Sequence, residues 1–348
     1  MTIDDIAETI LDQQSSPEEL RLALDSFVSL CVDAGDIAPD ASFSAWAGDS
    51  LLEGGVAINP GAAAHCVSDY RRSVVFMRGV YAALVELRSR FKDSTLQVLY
   101  AGCGPYATLI LPLLGKFLPG DIKVYLLDAH QASLDNVKLL LTHFGFNDHS
   151  VEVVEADACN YRHPSKPHLI LAETMQKALE QEPQFAVTAN LAPQLCDDGI
   201  YMPQRIEVSL CLADLKPGQE INGLLAEGID GKTAPDIRKN PLATVATLCP
   251  KTAFGQMQRA QAQADGPELY LEPVVVTIPE GSDIDGLEAA LFTRITVFGD
   301  HLLEDYECQL TLPSRCYDLL PLIAGASYRV TYQLGGYPKF SFEKLALG

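Results

Sequence analysis

Apolar residues recur with a helical period in the first ninety residues of the chain. The stretch Ser16-Pro17-Glu18-Glu19 has the residues of a helix start, with a capping serine, a proline at the first helical position and a glutamate that closes a capping box. Apolar side chains then recur along one face as far as Cys31, which predicts a helix. The same spacing between positions 67 and 84 predicts a second helix over about 62–91.

Between positions 96 and 172 the pattern changes to short apolar runs. The runs predict four strands, at 97–101, 123–127, 151–155 and 168–172. The first three strands are predicted to open strand–helix units, and the helix of the first unit is expected from Ala107 to Leu114. Strands that alternate with helices indicate a mostly parallel sheet covered on both faces, so the predicted fold class is α/β.

After Gly199 turns rich in Pro and Gly separate the strands, which predicts a β-rich second domain. Its strands are expected at 200–203, 206–212, 274–278, 291–298, 306–312 and 328–334. The predicted domains are a helical N-terminal segment over 1–60, an α/β domain over 61–205 and the β-rich domain over 206–348. The segment 214–241 has weak periodicity and is interpreted as an insertion or an arm.

The composition narrows the classes of function. Of the 348 residues 48% are apolar, and the formal net charge of −21 argues against nucleic acid as a partner. An acidic surface attracts cationic substrates, but it is also typical of a surface that is simply well solvated. The histidines show no spacing typical of a metal site, so no metal is expected.

The cysteines and the apolar runs bear on the compartment. Nine cysteines are scattered singly, with no CxxC pair, which favours free thiols in a reducing compartment over disulfides or a zinc site. No signal peptide is recognisable, and no apolar run is long enough to span a membrane. We therefore expect a cytoplasmic protein that makes no use of a membrane.

Residues that suit a nucleoside follow the first three predicted strands. Gly102 and Gly104 allow a tight turn and a close approach of backbone to ligand after the first strand. Asp128 ends the second strand, where its two oxygens match the two hydroxyls of a ribose, although it also suits the cap of the next helix. Asp157-Ala158, after the third strand, suit an adenine contact or an ordinary turn.

The glycine turn leaves a second cofactor open. Gly102-x-Gly104-x-x-Ala107 fits a loose dinucleotide fingerprint, so a nicotinamide-dependent oxidoreductase is an alternative. The fourth strand, however, leads into an acidic loop, Glu173-Thr174-Met175-Gln176-Lys177-Ala178-Leu179-Glu180-Gln181-Glu182, whose three carboxylates hydride transfer does not require. The plainer interpretation of that loop is a solvated charged segment.

At this loop the chain resembles the protein arginine methyltransferases, a family of class I S-adenosylmethionine-dependent methyltransferases. Glu173, Met175 and Glu182 have the spacing of the two glutamates and the methionine in that family's hairpin loop. The resemblance implies that Glu173 and Glu182 grip a guanidinium and act as the catalytic residues. Upstream, Asp69 and Arg72 match the family's D-x-x-R helix, which implies that Arg72 holds the carboxylate of the cofactor's methionine moiety. A solvated surface arginine is the alternative for Arg72.

The remaining cofactor contacts also follow from the resemblance. Gly102 and Gly104 match the glycine turn of class I methyltransferases, Asp128 the ribose acid, and Asp157 with Ala158 the adenine contact. The implied fold is a Rossmann-like class I methyltransferase sheet with N-terminal helices and a C-terminal β-rich domain. The implied cofactor is S-adenosylmethionine, and related enzymes pair as dimers through an arm in the second domain, for which 214–241 is the candidate here.

The sequence also departs from the family pattern. Tyr100 stands where the first strand usually ends in an acid, and Tyr106 replaces the third glycine of the turn. The family's short Thr-His-Trp loop is missing, and the single tryptophan is Trp46. The expected function is therefore N-methylation of a guanidino or amino group on a small molecule or a protein side chain. The pattern also leaves open methylation of oxygen or carbon in a small metabolite, and a non-catalytic protein that binds partners.

Overall fold

The N-terminal part of the chain is helical and carries one short hairpin. The structure is a computed structural model that describes residues 1–42, 48–215, 237–264, 266, 268–281 and 284–346. The predicted helix start is confirmed, because the Ser16 hydroxyl accepts the Glu19 N–H and the Glu19 carboxylate accepts the Ser16 N–H. The elements are α1 (Ile3–Leu11), α2 (Pro17–Ala34), β1 (Ser50–Leu52), β2 (Gly55–Ala57), α3 (Pro60–His65) and α4 (Tyr70–Arg90).

The single helix predicted over 62–91 is wrong, since the chain breaks between α3 and α4. Residues Cys66–Ser68 form a 3-10 turn, and Asp69 leaves the helical region with ψ at 76°. The carboxylate of Asp69 is buried and accepts the backbone N–H of Gln309 at 2.9 Å. A contact with a residue 240 positions away thus decides the break, and apolar spacing cannot report it.

The central sheet has five parallel strands in the order β5-β4-β3-β6-β7. Its elements are β3 (Leu96–Ala101), β4 (Ile122–Asp128), α5 (Gln131–His143), β5 (Ser150–Glu155), β6 (Leu169–Ala172), α6 (Gln184–Leu191) and β7 (Ile200–Met202). The four predicted strands of this region are confirmed, and the sheet is Rossmann-like. The chain runs from β3 outward in both directions, which creates a crevice at the carboxyl end of β3.

Three local predictions around the sheet are wrong. The run 107–114 is a series of turns that leads into a 3-10 helix at Leu111–Lys116, because Ala107 has a positive φ of 42°. The third unit contains no α-helix within residues 156–168, all of which the structure describes. The strand predicted at 200–203 is confirmed as β7, but it pairs in parallel with β6 and belongs to the central sheet and not to the β-rich part.

The C-terminal part is built from two antiparallel sheets. Its elements are β8 (Arg205–Ala213), β9 (Lys239–Leu248), α7 (Pro250–Gln263), β10 (Leu269–Tyr270), β11 (Val274–Thr277), β12 (Glu288–Phe298), β13 (His301–Leu303), β14 (Ser314–Arg315), β15 (Ser327–Leu334) and β16 (Lys339–Lys344). One sheet has the order β13-β12-β8-β9 with β14 beside β12, and the other has the order β10-β15-β11 with β16 beside β15. The strand predicted at 306–312 is instead a loop with a 3-10 turn at Gln309–Thr311.

The C-terminal sheet that contains β12 and β13 packs against the helix that carries Arg72. Helix α4 contacts β12 and β13, and a continuous apolar core includes side chains from Ile3 in α1 to Phe340 in β16. All nine cysteines are free thiols. No helix among the described residues is long and apolar enough to cross a bilayer. Trp46 and most of the proposed arm, residues 216–236, lie outside the described residues, so the arm and the three domain boundaries stay predictions.

Candidate functional site

A cavity of about 520 Å³ opens at the carboxyl ends of β3, β4, β5 and β6. It is lined by all eight residues for which the sequence predicts a role: Arg72, Gly102, Gly104, Asp128, Asp157, Ala158, Glu173 and Glu182. Its volume is in the range of pockets that bind small molecules and cofactors. The structure therefore brings the predicted residues to one place, although the role of each stays a prediction.

The glycine turn at the end of β3 needs both of its glycines for conformation. Gly102 and Gly104 have φ values of +72° and +62°, in the left-handed region that favours glycine. A Cβ on Gly102 would lie 2.4 Å from Cγ2 of Thr174 and 3.1 Å from the carbonyl oxygen of Glu173. The turn thus packs directly against the start of the acidic loop.

Replacing Gly102 with alanine should destabilise the protein by about 2–4 kcal/mol, because a left-handed φ adds to a steric overlap. The matched control is Gly145→Ala, since Gly145 has a φ of +77° but nothing within 4 Å of its Cβ position. The control should lose only about 1–2 kcal/mol. Urea unfolding of both variants measures the difference, and equal losses would contradict the close packing of Gly102 against Thr174.

Asp128 holds the glycine turn from the neighbouring strand. Its Oδ2 accepts the N–H of Gly104 at 2.9 Å, and its Oδ1 accepts the N–H of His130 at 2.9 Å. It does not cap α5, whose N-cap position is His130. Each carboxylate oxygen has a second lone pair, so Asp128 retains the capacity to accept two ribose hydroxyls.

The hairpin of β1 and β2 adds a contact that sequence reasoning missed. The His130 ring lies between Asp128 and this hairpin, with Nε2 at 3.1 Å from Ser50 Oγ and Nδ1 at 3.5 Å from Asp128 Oδ1. Val56, in β2 and opposite Leu51, donates its N–H to the carbonyl of Gln181 at 2.8 Å. The hairpin thus connects the Asp128 side of the cavity with the acidic loop.

Asp157 and Ala158 form the third side of the cavity. Asp157 accepts the N–H of Cys159 at 2.8 Å through Oδ1, so this carboxylate shapes its own turn. The small side chain of Ala158 is buried, and its carbonyl accepts a hydrogen bond from the Asn190 side chain of α6 at 2.9 Å. A small side chain beside a carboxylate thus lines this corner of the cavity.

Arg72 and Glu173 form an ion pair inside the cavity. Nη2 of Arg72 lies 2.7 Å from Oε2 of Glu173, and their side chains are only 12% and 8% exposed. Burial disfavours the charge of Arg72, but the surrounding groups together, Glu173 first and Asp69 among the others, outweigh burial and raise the pKa of the guanidinium. Arg72 is therefore a buried cation and not a solvated surface arginine. Oε1 of Glu173 is buried and has no hydrogen-bond partner among the described residues.

The three carboxylates of the acidic loop separate into two environments. Glu182 lines the cavity and is 8% exposed, whereas Glu180 accepts a hydrogen bond from Ser314 of the C-terminal part. Burial and repulsion from Glu173 raise the pKa of Glu182 to about 8; Asp49 also raises it, while Arg72 and a hydrogen bond from Gln176 lower it. Burial raises the pKa of Glu173 too, against the opposing effect of its ion pair with Arg72. The cavity therefore holds one glutamate in an ion pair and one that is readily protonated.

Other residues that line the cavity come from parts of the chain for which the sequence predicts no functional role. Gln309 and Leu310, from the loop predicted as a strand, line the cavity beside the start of α4. Tyr100, which replaces an acid of the family pattern, is buried and lines it too. Tyr106 instead donates its hydroxyl to the carbonyl of Ile37 at 2.7 Å and anchors the N-terminal part to the turn. Within the described residues no group of three or more His, Cys, Asp or Glu is placed to hold a metal ion.

Comparisons with known proteins find matches among solved structures only. No protein-family model and no curated protein matches the sequence. Among solved structures, the Trypanosoma brucei PRMT1 enzyme–prozyme heterotetrameric complex with AdoHcy is 13% identical, with a TM-score of 0.49 over 83% of this chain and 99% of that one. Protein arginine methyltransferase 10 of Arabidopsis thaliana is 13% identical, with a TM-score of 0.44 over 81% and 96%. Both are of the family that the motifs resemble, but likenesses of this degree do not bear on the activity.

Proposed function

We propose that this protein is an S-adenosylmethionine-dependent methyltransferase that acts on a nitrogen of a guanidino or amino group. The observation that carries the proposal is the pair Glu173 and Glu182, two buried carboxyl groups that line the same cavity as the glycine turn. The buried, unpartnered Oε1 of Glu173 is available to a cationic acceptor. The acceptor is a small molecule or a cationic side chain.

The residues present fit the cofactor. Asp128 would accept the ribose hydroxyls, and Asp157 with Ala158 would flank the adenine. Arg72 has five N–H donors in a planar fork, and Nη2 is the one that binds Glu173. The remaining donors of Arg72 would bind the carboxylate of the methionine moiety. Gly102 and Gly104 would let the backbone approach the bound nucleoside closely.

The proposed chemistry places little demand on acid–base groups. S-adenosylmethionine supplies a methyl group on a sulfonium, and the sulfur leaves as a neutral thioether. The task of the protein is therefore alignment, which supplies up to about 7–11 kcal/mol of barrier reduction. Glu173 and Glu182 would orient the guanidinium through charge-assisted hydrogen bonds, worth about 1.5–3 kcal/mol each. With the positive charge held on the far nitrogens, the reacting nitrogen keeps more of its lone pair.

Glu182 is the group that would take the proton released after transfer. Its pKa of about 8 makes it a better proton acceptor than an ordinary glutamate. Glu173, held by its ion pair with Arg72, would keep the orienting role throughout.

The nicotinamide alternative is not favoured by the turn after β3. A dinucleotide is bound with its pyrophosphate at the N-terminus of the helix that follows the glycines. Here residues 102–121, all described, contain turns and a 3-10 helix but no α-helix.

Transfer to oxygen or carbon and a non-catalytic binding role stay open to test. A homodimer is also proposed, and it rests only on the resemblance to enzymes that pair through an arm.

Calorimetry with S-adenosylhomocysteine and with NAD(H) tests the cofactor. We expect micromolar binding of S-adenosylhomocysteine and none of NAD(H); the reverse result would end the methyltransferase proposal. Mass spectrometry after incubation with methyl-labelled S-adenosylmethionine tests the acceptor, using guanidino and amino compounds, arginine-containing peptides, and hydroxyl compounds as the comparison. Cofactor binding without any labelled product would support the non-catalytic role.

A further inference from the structure

The backbone between Glu173 and Glu182 is held in a conformation that side chains disfavour. Ala178, Leu179 and Gln181 have φ values of 57°, 59° and 66°, and none of them is glycine. Residues in this left-handed region persist only where their surroundings determine the conformation, and they cluster at functional sites. The contacts that hold this loop therefore matter for the position of Glu182.

Two buried hydroxyl groups of the C-terminal sheets hold this stretch. Thr293 of β12 accepts the N–H of Ala178 through Oγ1 at 2.9 Å, and Tyr332 of β15 donates its hydroxyl to the carbonyl of Leu179. Both side chains are 1% exposed, so water does not replace either bond. Next to them, the N–H of Gln181 is bound by the carbonyl of Pro338 at 2.8 Å.

The hydrogen bonds act on the stretch that leads into Glu182. Leu179 is three residues before Glu182, and only the extended Glu180 and the left-handed Gln181 separate them. The other glutamate, Glu173, follows directly from β6 and is fixed by its ion pair with Arg72. The central sheet thus positions one carboxyl group, and the C-terminal sheets, together with Val56 of the hairpin, position the other.

We infer that Thr293 and Tyr332 are positioning residues that set the placement of Glu182 relative to Glu173, and hence the shape of the acceptor site. The inference rests on the proposed function, because it assigns these hydroxyls a part in acceptor alignment. It makes the C-terminal sheets a determinant of acceptor specificity. The cofactor contacts, which belong to the central sheet and α4, are independent of these two hydroxyls.

The experiment compares Tyr332→Phe and Thr293→Val, each of which removes one hydroxyl from a similar shape. Tyr328→Phe is the matched control, because Tyr328 is a buried tyrosine four positions earlier in β15. We expect kcat for the acceptor to fall about 10- to 100-fold in the two test variants, as for a small misplacement of a reacting group. The Kd for S-adenosylhomocysteine should change less than about twofold, and the control should retain the wild-type kcat.

A pH profile separates positioning from general destabilisation. In the wild type, kcat/KM should rise with pH up to about 8, as Glu182 ionises. A looser loop admits water to Glu182, which lowers the pKa of this carboxyl group. The rising part of the pH profile should therefore move to lower pH in both test variants. Loss of folded protein would lower the whole profile without moving it.

The outcomes separate this inference from the proposed function. An active wild type whose test variants keep both kcat and the pH profile would overturn the positioning role. A wild type that neither binds S-adenosylhomocysteine nor methylates any acceptor would overturn the proposed function. In that case the pH dependence of thermal unfolding still measures whether Tyr332 controls Glu182. Glu182→Gln is made in the wild type and in Tyr332→Phe, and its effect on that pH dependence is compared between the two backgrounds. The same effect in both backgrounds would overturn the inference.

Discussion

Replacing Glu182 with glutamine should stop methyl transfer and make the protein more stable at pH 8 and above. Glutamine keeps the size and one acceptor oxygen of the side chain, but it neither balances a cationic acceptor nor takes a proton. Loss of one preorganised charged contact lowers kcat by about 100-fold or more. Binding of S-adenosylhomocysteine should be largely retained, because Glu182 is assigned no contact with the cofactor.

The stability gain follows from the raised pKa of Glu182. Burial and Glu173 raise it from an unfolded value of 4.5 to about 8. Below pH 4.5 the carboxyl is protonated in both states and contributes nothing. Between pH 4.5 and 8 the folded protein binds a proton that the unfolded chain has lost, so stability falls as the pH rises. Glutamine removes this loss, which amounts to up to roughly 4–5 kcal/mol above the folded pKa.

Thermal unfolding of Glu182→Gln and the wild type between pH 4.5 and 9 measures the effect. The melting temperatures of the two proteins should coincide at the acidic end of this range and diverge steadily toward pH 8. Glu152→Gln is the control, since Glu152 is a half-exposed carboxylate of β5 outside the cavity. A variant as active as the wild type would remove Glu182 from the site, and a separation that does not grow with pH would contradict its raised pKa.

Replacing Arg72 with methionine should destabilise the protein by about 3–5 kcal/mol, because it leaves the charge of Glu173 buried without a partner. The second change Glu173→Gln in the same chain should restore much of this loss, since it removes the charge left behind. The two single variants and the double variant form a cycle whose coupling energy urea unfolding measures. The neighbouring pair of Arg71 and Glu307, whose side chains are 38% and 31% exposed, is the control. Arg71→Met should lose no more than about 1 kcal/mol.

The same variants distinguish the roles proposed for the two charges. Glu173→Gln should abolish turnover and largely spare binding of S-adenosylhomocysteine, whereas Arg72→Met should weaken that binding as well. Calorimetry on both variants provides the comparison. Full cofactor affinity in Arg72→Met would remove Arg72 from the cofactor site, and full activity in Glu173→Gln would remove Glu173 from the acceptor site.

The sequence by itself determined the features that depend on neighbours along the chain. The start of α2 follows from Ser16 and Glu19, whose hydrogen bonds are made within three residues. The inner strands β3, β4 and β6 follow from largely apolar runs, because a strand buried on both faces has no polar side. The edge strand β5 follows from its β-branched residues, which alternate with glutamates. The common location of the glycine turn and of the acids that end the strands follows from the alternation of strands and helices. In such a chain the strands are parallel, and their carboxyl ends meet at one edge of the sheet.

Only the tertiary structure decided what distant groups do to one another. The break before α4 depends on Asp69 and Gln309, and the 3-10 turn at Gln309–Thr311 belongs to that same contact. The pairing of Arg72 with Glu173, and the separation of Glu180 from Glu182, depend on which side chains the fold excludes from water. Burial and long-range hydrogen bonds depend on residues far apart in the chain. No local sequence pattern therefore encodes the raised pKa of Glu182 or the hydrogen bonds that Thr293 and Tyr332 make to its loop.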